Sequence, residues 1–176
     1  MNAPLCALVV MGVSGCGKSS VGAAIVERSG GRLIEGDSFH PAANIEKMSA
    51  GIPLTDDDRA GWLVRLGEEV RACLESGERP ILTCSALKLK YRDTLRSAVP
   101  GLGFVFLELT PAESADRVAH RPGHYMPASL VDSQFAALEP PTGEHLVLAL
   151  DATQPIPALA EQVDGWLIEH HATTLA

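Results

Sequence analysis

Eight residues near the start of the chain have the types and spacing to hold a polyphosphate. They read Gly12-Val13-Ser14-Gly15-Cys16-Gly17-Lys18-Ser19 and fit the pattern G-x-x-x-x-G-K-[ST]. Glycines there let the backbone turn tightly and bring successive N–H groups against phosphate oxygens. A helix opening near Gly17 would aim its N-terminal dipole at the same charge. Lys18 has the reach to meet the β- and γ-phosphates, and the Ser19 hydroxyl suits Mg²⁺. The expected nucleotide-binding set is Gly12, Val13, Ser14, Gly15, Cys16, Gly17, Lys18, Ser19 and Ser20, with Lys18 also catalytic and Ser19 also a metal ligand. With 16 Gly, 4 Lys and 20 Ser plus Thr in 176 residues, composition alone would produce ~0.004 such matches. A thiol at a helix N-terminus, as Cys16 would be, is open to a lowered pKa and to oxidation. A small residue tolerated at a variable motif position is the simpler account of it.

A phosphate loop does not by itself separate a kinase from a GTPase or a motor. The chain has no guanine-reading N-K-x-D, and its length leaves no room for a motor's coupled domains. Chemistry for an acceptor does appear. The second aliphatic run ends in Glu35-Gly36-Asp37-Ser38-Phe39-His40-Pro41. Ligands of open α/β sheets bind beyond the carboxyl ends of strands, so Asp37 is placed to face the γ-phosphate. It could take the proton of a substrate hydroxyl or hold Mg²⁺ through water, with a helix N-cap as the plainer alternative. His40 could hydrogen-bond a polyol or be structural. Thr55-Asp56-Asp57-Asp58-Arg59 reads as a capped helix start that presents Arg59, either to an acceptor carboxylate or to solvent. Lys88 and Arg92 are four apart on a predicted helix with Tyr91 beside them. That cluster could bind substrate hydroxyls, a carboxylate or the transferred phosphoryl group, or be an exposed basic face. Arg117 and Arg121 share the same spacing ahead of a Pro-, Gly- and His-rich stretch, His120–Thr142, which reads as a mobile lid. Arginines delivered there would neutralise charge on the group in transfer, unless both are simply solvated. Gly123 would serve as a hinge, and His124 and Tyr125 would approach the substrate.

Elements able to carry these residues alternate along the chain. Aliphatic runs at Leu5–Met11, Arg32–Glu35, Pro80–Cys84, Gly103–Leu109 and His145–Leu150 read as buried strands. Helical segments separate them: Val21–Arg28, a stripe of Trp62, Leu63, Leu66, Val70 and Leu74 stopped by Gly77, Leu87–Ala98, Ala112–Ala119 behind Pro111, and Ile156–Ile168. This alternation predicts a three-layer α/β fold with five parallel strands in one domain spanning residues 1–176, the lid at about 120–142. The backbone of Asp151–Pro155, after the fifth strand, is expected to read an adenine edge. The formal charge is 14 − 22 = −8, which argues against nucleic acid and requires the few cations to gather at any anionic substrate. No apolar run approaches the ~20 residues of a membrane span. The first residues lack a charged leader pattern, and the four cysteines form no CxxC pair, so a cytoplasmic protein is expected.

Four segments together, GVSGCGKS, GDSFHPAANIEKMSAGIPLTDDDRAGWL, CSALKLKYRD and RPGHYMPASLVDSQFAALEPP, resemble the gluconate kinase family from about Leu8 to Asp151. The middle two differ from the acceptor segments of shikimate, adenylate and adenylylsulfate kinases. Only variable filling departs, as at Cys16 and Leu89. The resemblance implies a nucleoside-monophosphate-kinase-like fold, ATP-dependent phosphorylation of gluconate at its 6-hydroxyl with Mg²⁺, often a homodimer, and Arg117 or Arg121 over the adenine or phosphates. The expected catalytic set is Lys18, Asp37, Arg117 and Arg121; the substrate set is Asp37, His40, Arg59, Lys88, Tyr91, Arg92 and His124; Ser19 and Asp37 would serve the metal. A kinase for another small hydroxy acid or sugar is the nearest alternative, separable by an acceptor panel. A nucleotide-binding module without turnover would be expected to show damage at Lys18, Ser19 or Asp37, and all three are intact.

Overall fold

The computed structural model describes residues 3–120 and 128–172. Five strands, β1 (Ala7–Met11), β2 (Arg32–Glu35), β3 (Pro80–Thr83), β4 (Leu102–Glu108) and β5 (Val147–Asp151), form one sheet of order β2-β3-β1-β4-β5. All of its pairings are parallel. The helices are α1 (Lys18–Ser29), α2 (Ala42–Ser49), α3 (Asp56–Glu75), α4 (Leu89–Ala98), α5 (Pro111–Ala119), α6 (Ala128–Ala137) and α7 (Ile156–Ala172), with a short 3-10 turn over Gly36–Phe39.

Burial explains why β1 is apolar at every position. Ala7, Val9 and Met11 pack with Leu66 and Val70 of α3 and Leu95 of α4 on one face. Leu8 and Val10 pack with Val21 and Ile25 of α1 and Leu159 and Val163 of α7 on the other. A parallel strand covered on both faces has no reason to alternate polar residues. The register pairs Glu35 with Thr83 and Val10 with Thr83, so the carboxyl ends of β1, β2 and β3 meet at one edge. The phosphate loop follows β1 and Asp37 follows β2 at that edge.

Two local devices fix it. Gly36 follows β2 so closely against β3 that a Cβ there would lie 2.2 Å from the Thr83 carbonyl oxygen. Trp62 Nε1 of α3 donates to Gly36 O at 2.9 Å, tying α3 to the same corner. At the head of α3, Thr55 Oγ1 accepts from Asp58 N at 3.1 Å and Asp58 Oδ2 accepts from Thr55 N at 2.8 Å, a reciprocal cap. Thr55, rather than Asp56, is therefore the cap, and the acidic run sits in the helix's first turn.

The predicted strands and five predicted helices are present. Two differences bear on the site. Helix α4 begins at Leu89, because Ala86 has φ 46° and Lys88 is extended at φ −105°, ψ 147°. Within the stretch read as a lid, residues 128–137 form α6. Gly123, His124 and Tyr125, and with them Arg121, lie outside the described residues.

Candidate active site

Gly17 ends the phosphate loop in the left-handed region at φ 93°, ψ 25°, and its carbonyl receives the first α1 bond from Val21 N at 2.9 Å. No side chain caps α1, so its first N–H groups face the loop's concavity rather than a serine or aspartate oxygen. Lys18 Nζ donates back to Gly12 O at 3.0 Å and Val13 O at 3.3 Å. Cys16 is buried, which favours the simple packing account of that residue over an oxidisable thiol. A cavity of about 270 Å³ is lined by Ser14, Gly15, Gly17, Lys18, Ser19, Ser20, Asp37 and Arg117. Arg117 closes its side by donating from Nη1 to Gly15 O at 3.1 Å and from Nη2 to Ala152 O at 2.9 Å. It thus links the loop to the segment after β5, where an adenine edge was expected.

A carboxylate that meets Ser19 is Glu35, while Asp37 lines the same cavity as Ser19. Ser19 Oγ donates to Glu35 Oε2 at 2.9 Å, and Thr83 Oγ1 donates to the same oxygen at 2.7 Å. Sequence reasoning passed over Glu35 although it stands at the carboxyl end of β2. The signal was there: an acid at a strand end, with no acid at the end of β3.

A second cavity of about 390 Å³ adjoins the first. Its walls come from α2 and the following loop (Ile45, Met48, Ile52, Leu54), from α3 (Arg59, Trp62), and from α6 (Leu130, Ser133, Gln134). Ser14, Lys18 and Asp37 line both cavities. That volume is ordinary for a small-molecule site, and its lining mixes apolar side chains with polar groups such as His40, Arg59 and Gln134.

His40 lies in this cavity with its ring stacked on Trp62, centroids 4.0 Å apart. Asn44 Nδ2 donates to Asp58 O at 2.9 Å and stands 3.2 Å from His40 Nδ1. An amide nitrogen is donor only, so Nδ1 accepts and the ring hydrogen sits on Nε2. That nitrogen is 3.6 Å from Asp37 Oδ1, orienting a positive edge toward the carboxylate. Behind the cavity, burial pushes the Cys84 thiol up to about 12, so it stays neutral and takes no part.

The basic cluster expected around Lys88 separates into three roles. Arg59 Nη1 lines the acceptor cavity while donating to Leu54 O at 2.6 Å and to the Tyr91 hydroxyl at 3.2 Å. Tyr91 and Lys88 stand behind it, both donating to Asp56, with Lys88 Nζ at 2.9 Å. Lys90 also donates to Asp56, and these bonds from Lys90, Tyr91 and Lys88 hold the Asp56 carboxyl well below the usual carboxylate range. Lys88 is therefore already paired with a carboxylate, which it shares with Lys90. Because it precedes α4, it shares no helical face with Arg92. Arg92 is a correction to the predicted substrate set. Its side chain has no solvent exposure, and its guanidinium grips Glu144 from Nε at 2.9 Å and Nη2 at 2.7 Å. Nη1 and Nη2 further donate to Ala86 O and Glu139 O, each at 2.8 Å. Four of its five N–H donors are spent on the protein, with none of them turned toward the cavity lining.

Among the described residues no group of three or more His, Cys, Asp and Glu is placed to hold a metal.

Comparison with known proteins agrees with this geometry. Residues 8–141 match the family model described as an AAA domain. The chain is 44% identical over 156 residues to the gluconokinase of Gluconobacter oxydans (strain 621H), covering 89% of this chain and 88% of that one. It is 40% identical over 155 residues to the thermosensitive gluconokinase of Escherichia coli (strain K12), covering 88% and 83%. The crystal structure of a gluconokinase from Sinorhizobium meliloti 1021 superposes with a TM-score of 0.86 at 47% identity, covering 99% of this chain and 98% of that one.

Proposed function

Because this chain belongs to the gluconokinase family, we propose that it moves the γ-phosphoryl group of ATP onto the 6-hydroxyl of D-gluconate, giving ADP and 6-phospho-D-gluconate. One observation carries the reading: two cavities, one built on the phosphate loop and one on α2, α3 and α6, share Ser14, Lys18 and Asp37 as their common wall. A triphosphate in the first would end at that wall. An alcohol in the second would arrive at it from the other side.

The roles follow from position. Amides of Gly15–Ser20 and the open N-terminus of α1 hold the phosphates. Asp37 accepts the proton of the attacking hydroxyl or aligns it, with His40 Nε2–H steadying the carboxylate. The hydroxyl oxygen bonds to the γ-phosphorus as the bond to the β-phosphate bridging oxygen breaks. Lys18 and Arg117 offset the charge spread over the transferring group, and Arg121 is proposed to join them from the lid. Arg59 takes the gluconate carboxylate, with Tyr91 and Asp56 positioning it.

Ser19 Oγ and Glu35 present hard oxygen donors side by side, a set that fits Mg²⁺, which takes few protein ligands and completes its shell with water and phosphate. Bound there, the ion would neutralise phosphate charge. The reading includes a homodimer, as the family resemblance implies, and a cytoplasmic location, with which four free cysteines fit.

The test is ADP release over a panel of aldonates, shikimate, sugars and nucleoside monophosphates, with the product located by phosphorus NMR. Gluconate should dominate. Silence with gluconate beside turnover of another acceptor would overturn the substrate assignment.

A further inference from the structure

Resting on that reading, we propose that Gln134 is a positioning residue that couples the acceptor cavity to the terminal phosphate by clamping the loop residue between them. Gln134 projects from α6. Its Oε1 accepts from Ser14 N at 2.7 Å, and its Nε2 donates to Ser14 Oγ at 2.8 Å. A carboxamide is suited to this, because it offers an acceptor and a donor at one reach. Ser14 O is taken as well, by Ser114 Oγ of α5 at 2.6 Å, and Ser114 is fully buried. The backbone and side-chain polar groups of Ser14 are thus spoken for by two helices, α5 and α6.

Ser14 is also part of the wall shared by the two cavities, and Gln134 lines the acceptor side of it. The far end of α6 is itself anchored. Glu139 N donates to Leu87 O at 2.7 Å, and Glu139 Oε1 accepts from Leu89 N at 2.8 Å. With that end held at the start of α4, a force on α6 from an acceptor is delivered to Ser14 through the Gln134 carboxamide rather than lost in movement of the helix. The same path runs in reverse from the phosphate loop, as linkage between two sites demands. Loosening the clamp would leave a gap at the γ-phosphate where water can attack. Its oxygen would bond to the γ-phosphorus, the bond to ADP would break, and inorganic phosphate would form in place of phosphogluconate.

The experiment measures binding of a non-hydrolysable ATP analogue with Mg²⁺, with and without saturating gluconate, in the wild type, Gln134→Ala, Ser14→Ala and the double variant. In parallel, ADP and phosphogluconate are counted during turnover. In the wild type, gluconate should tighten the analogue by about tenfold, within the usual range for coupled sites. Gln134→Ala should reduce that factor to below about twofold and raise ADP formed per phosphogluconate clearly above one. Ser14→Ala, which removes one of the two bonds, should give a partial loss, and the double variant should be no worse than Gln134→Ala. Coupling and stoichiometry unchanged in Gln134→Ala would overturn the proposal, as would a wild type that binds both ligands independently. Should Gln134→Ala fail to fold, full coupling in Ser14→Ala would overturn it instead. A wild type that binds neither ligand would refute the kinase reading itself, a separate outcome.

Discussion

Arg92→Ala would remove a guanidinium with no solvent exposure that holds Glu144 by two hydrogen bonds and two backbone carbonyls by two more. Breaking a buried ion pair from one side costs about 3–5 kcal/mol, because the remaining partner is left uncompensated. The lower end applies here, since Arg96 Nη2 still donates to Glu144 Oε1 at 2.8 Å. The orphaned Ala86 and Glu139 carbonyls keep the cost from falling further. At about 3 kcal/mol, and about 2–4 °C per kcal/mol for a chain of this size, the melting temperature should drop by about 6–12 °C. The loss should also depend on pH. Burial pushes the Glu144 carboxyl up, but hydrogen bonds from Arg92 and Arg96 outweigh it and hold the group below its ordinary value. A carboxyl depressed in the folded state stabilises the protein above its unfolded pKa of about 4.3, and that stability disappears as pH falls through the lower folded value. The gap between wild type and variant should therefore persist at pH 5 and above and narrow below about pH 4. Calorimetric melts between pH 3.5 and 8, with gluconate KM measured well below the melting point, test this. An unshifted melt together with a gluconate KM raised tenfold or more would refute the structural assignment and return Arg92 to the substrate.

Lys18→Ala should abolish turnover while leaving the melting temperature nearly unchanged, because the bonds of Nζ to two carbonyls and the Cys16 sulfur all stay within its own loop; wild-type-like kinetics would refute the phosphate-loop assignment. Asp37→Asn should lower kcat by about 10²–10⁴-fold with little change in KM for ATP, as expected of a group acting on the acceptor proton; an effect confined to KM would make it a binding residue. Glu35→Gln should weaken Mn²⁺ binding in the presence of ADP by about 10–100-fold, read by electron paramagnetic resonance. Unchanged Mn²⁺ affinity with a lowered melt would reduce Glu35 to a tie between α1, β2 and β3.

Strands β1, β3 and β4 were legible because burial on both faces leaves a continuous aliphatic run, and the phosphate loop because its chemistry admits few residue types. What escaped was set by partners distant in sequence. Arg92 and Lys88 look like a basic helical pair, but the positive φ at Ala86 starts α4 one residue after Lys88, and the partner that draws Arg92 inward is Glu144, 52 residues on. Glu35 meets Ser19 only through the pairing of β2 with β3. Helix α2 shows no buried apolar stripe: its buried residue is Asn44, while Ile45 and Met48 turn toward the acceptor cavity. Helix α6 was hidden behind the Pro- and Gly-rich residues that precede it, and its Gln134 carried no charge to draw notice.

A chain of net charge −8 can still attract two anionic substrates because of how its cations are spent. Arg28, Arg32, Lys47, Arg65, Lys88, Lys90, Arg92 and Arg96 each pair with a carboxylate. The three described cations that line the two cavities do not. Lys18 and Arg117 donate to backbone carbonyls, with the Cys16 sulfur also near Lys18, and Arg59 donates to a carbonyl and a phenol. Neutral acceptors hold these groups in place without cancelling their charge, so the field they project survives where it is needed. The acidic residues serve the same end from elsewhere. Asp56 pairs with Lys88 and Lys90 outside the cavity and leaves Arg59 as the cation an acceptor carboxylate would meet. Excess negative charge on the remaining surface then acts to focus anions toward the cavities where Lys18, Arg59 and Arg117 keep their charge.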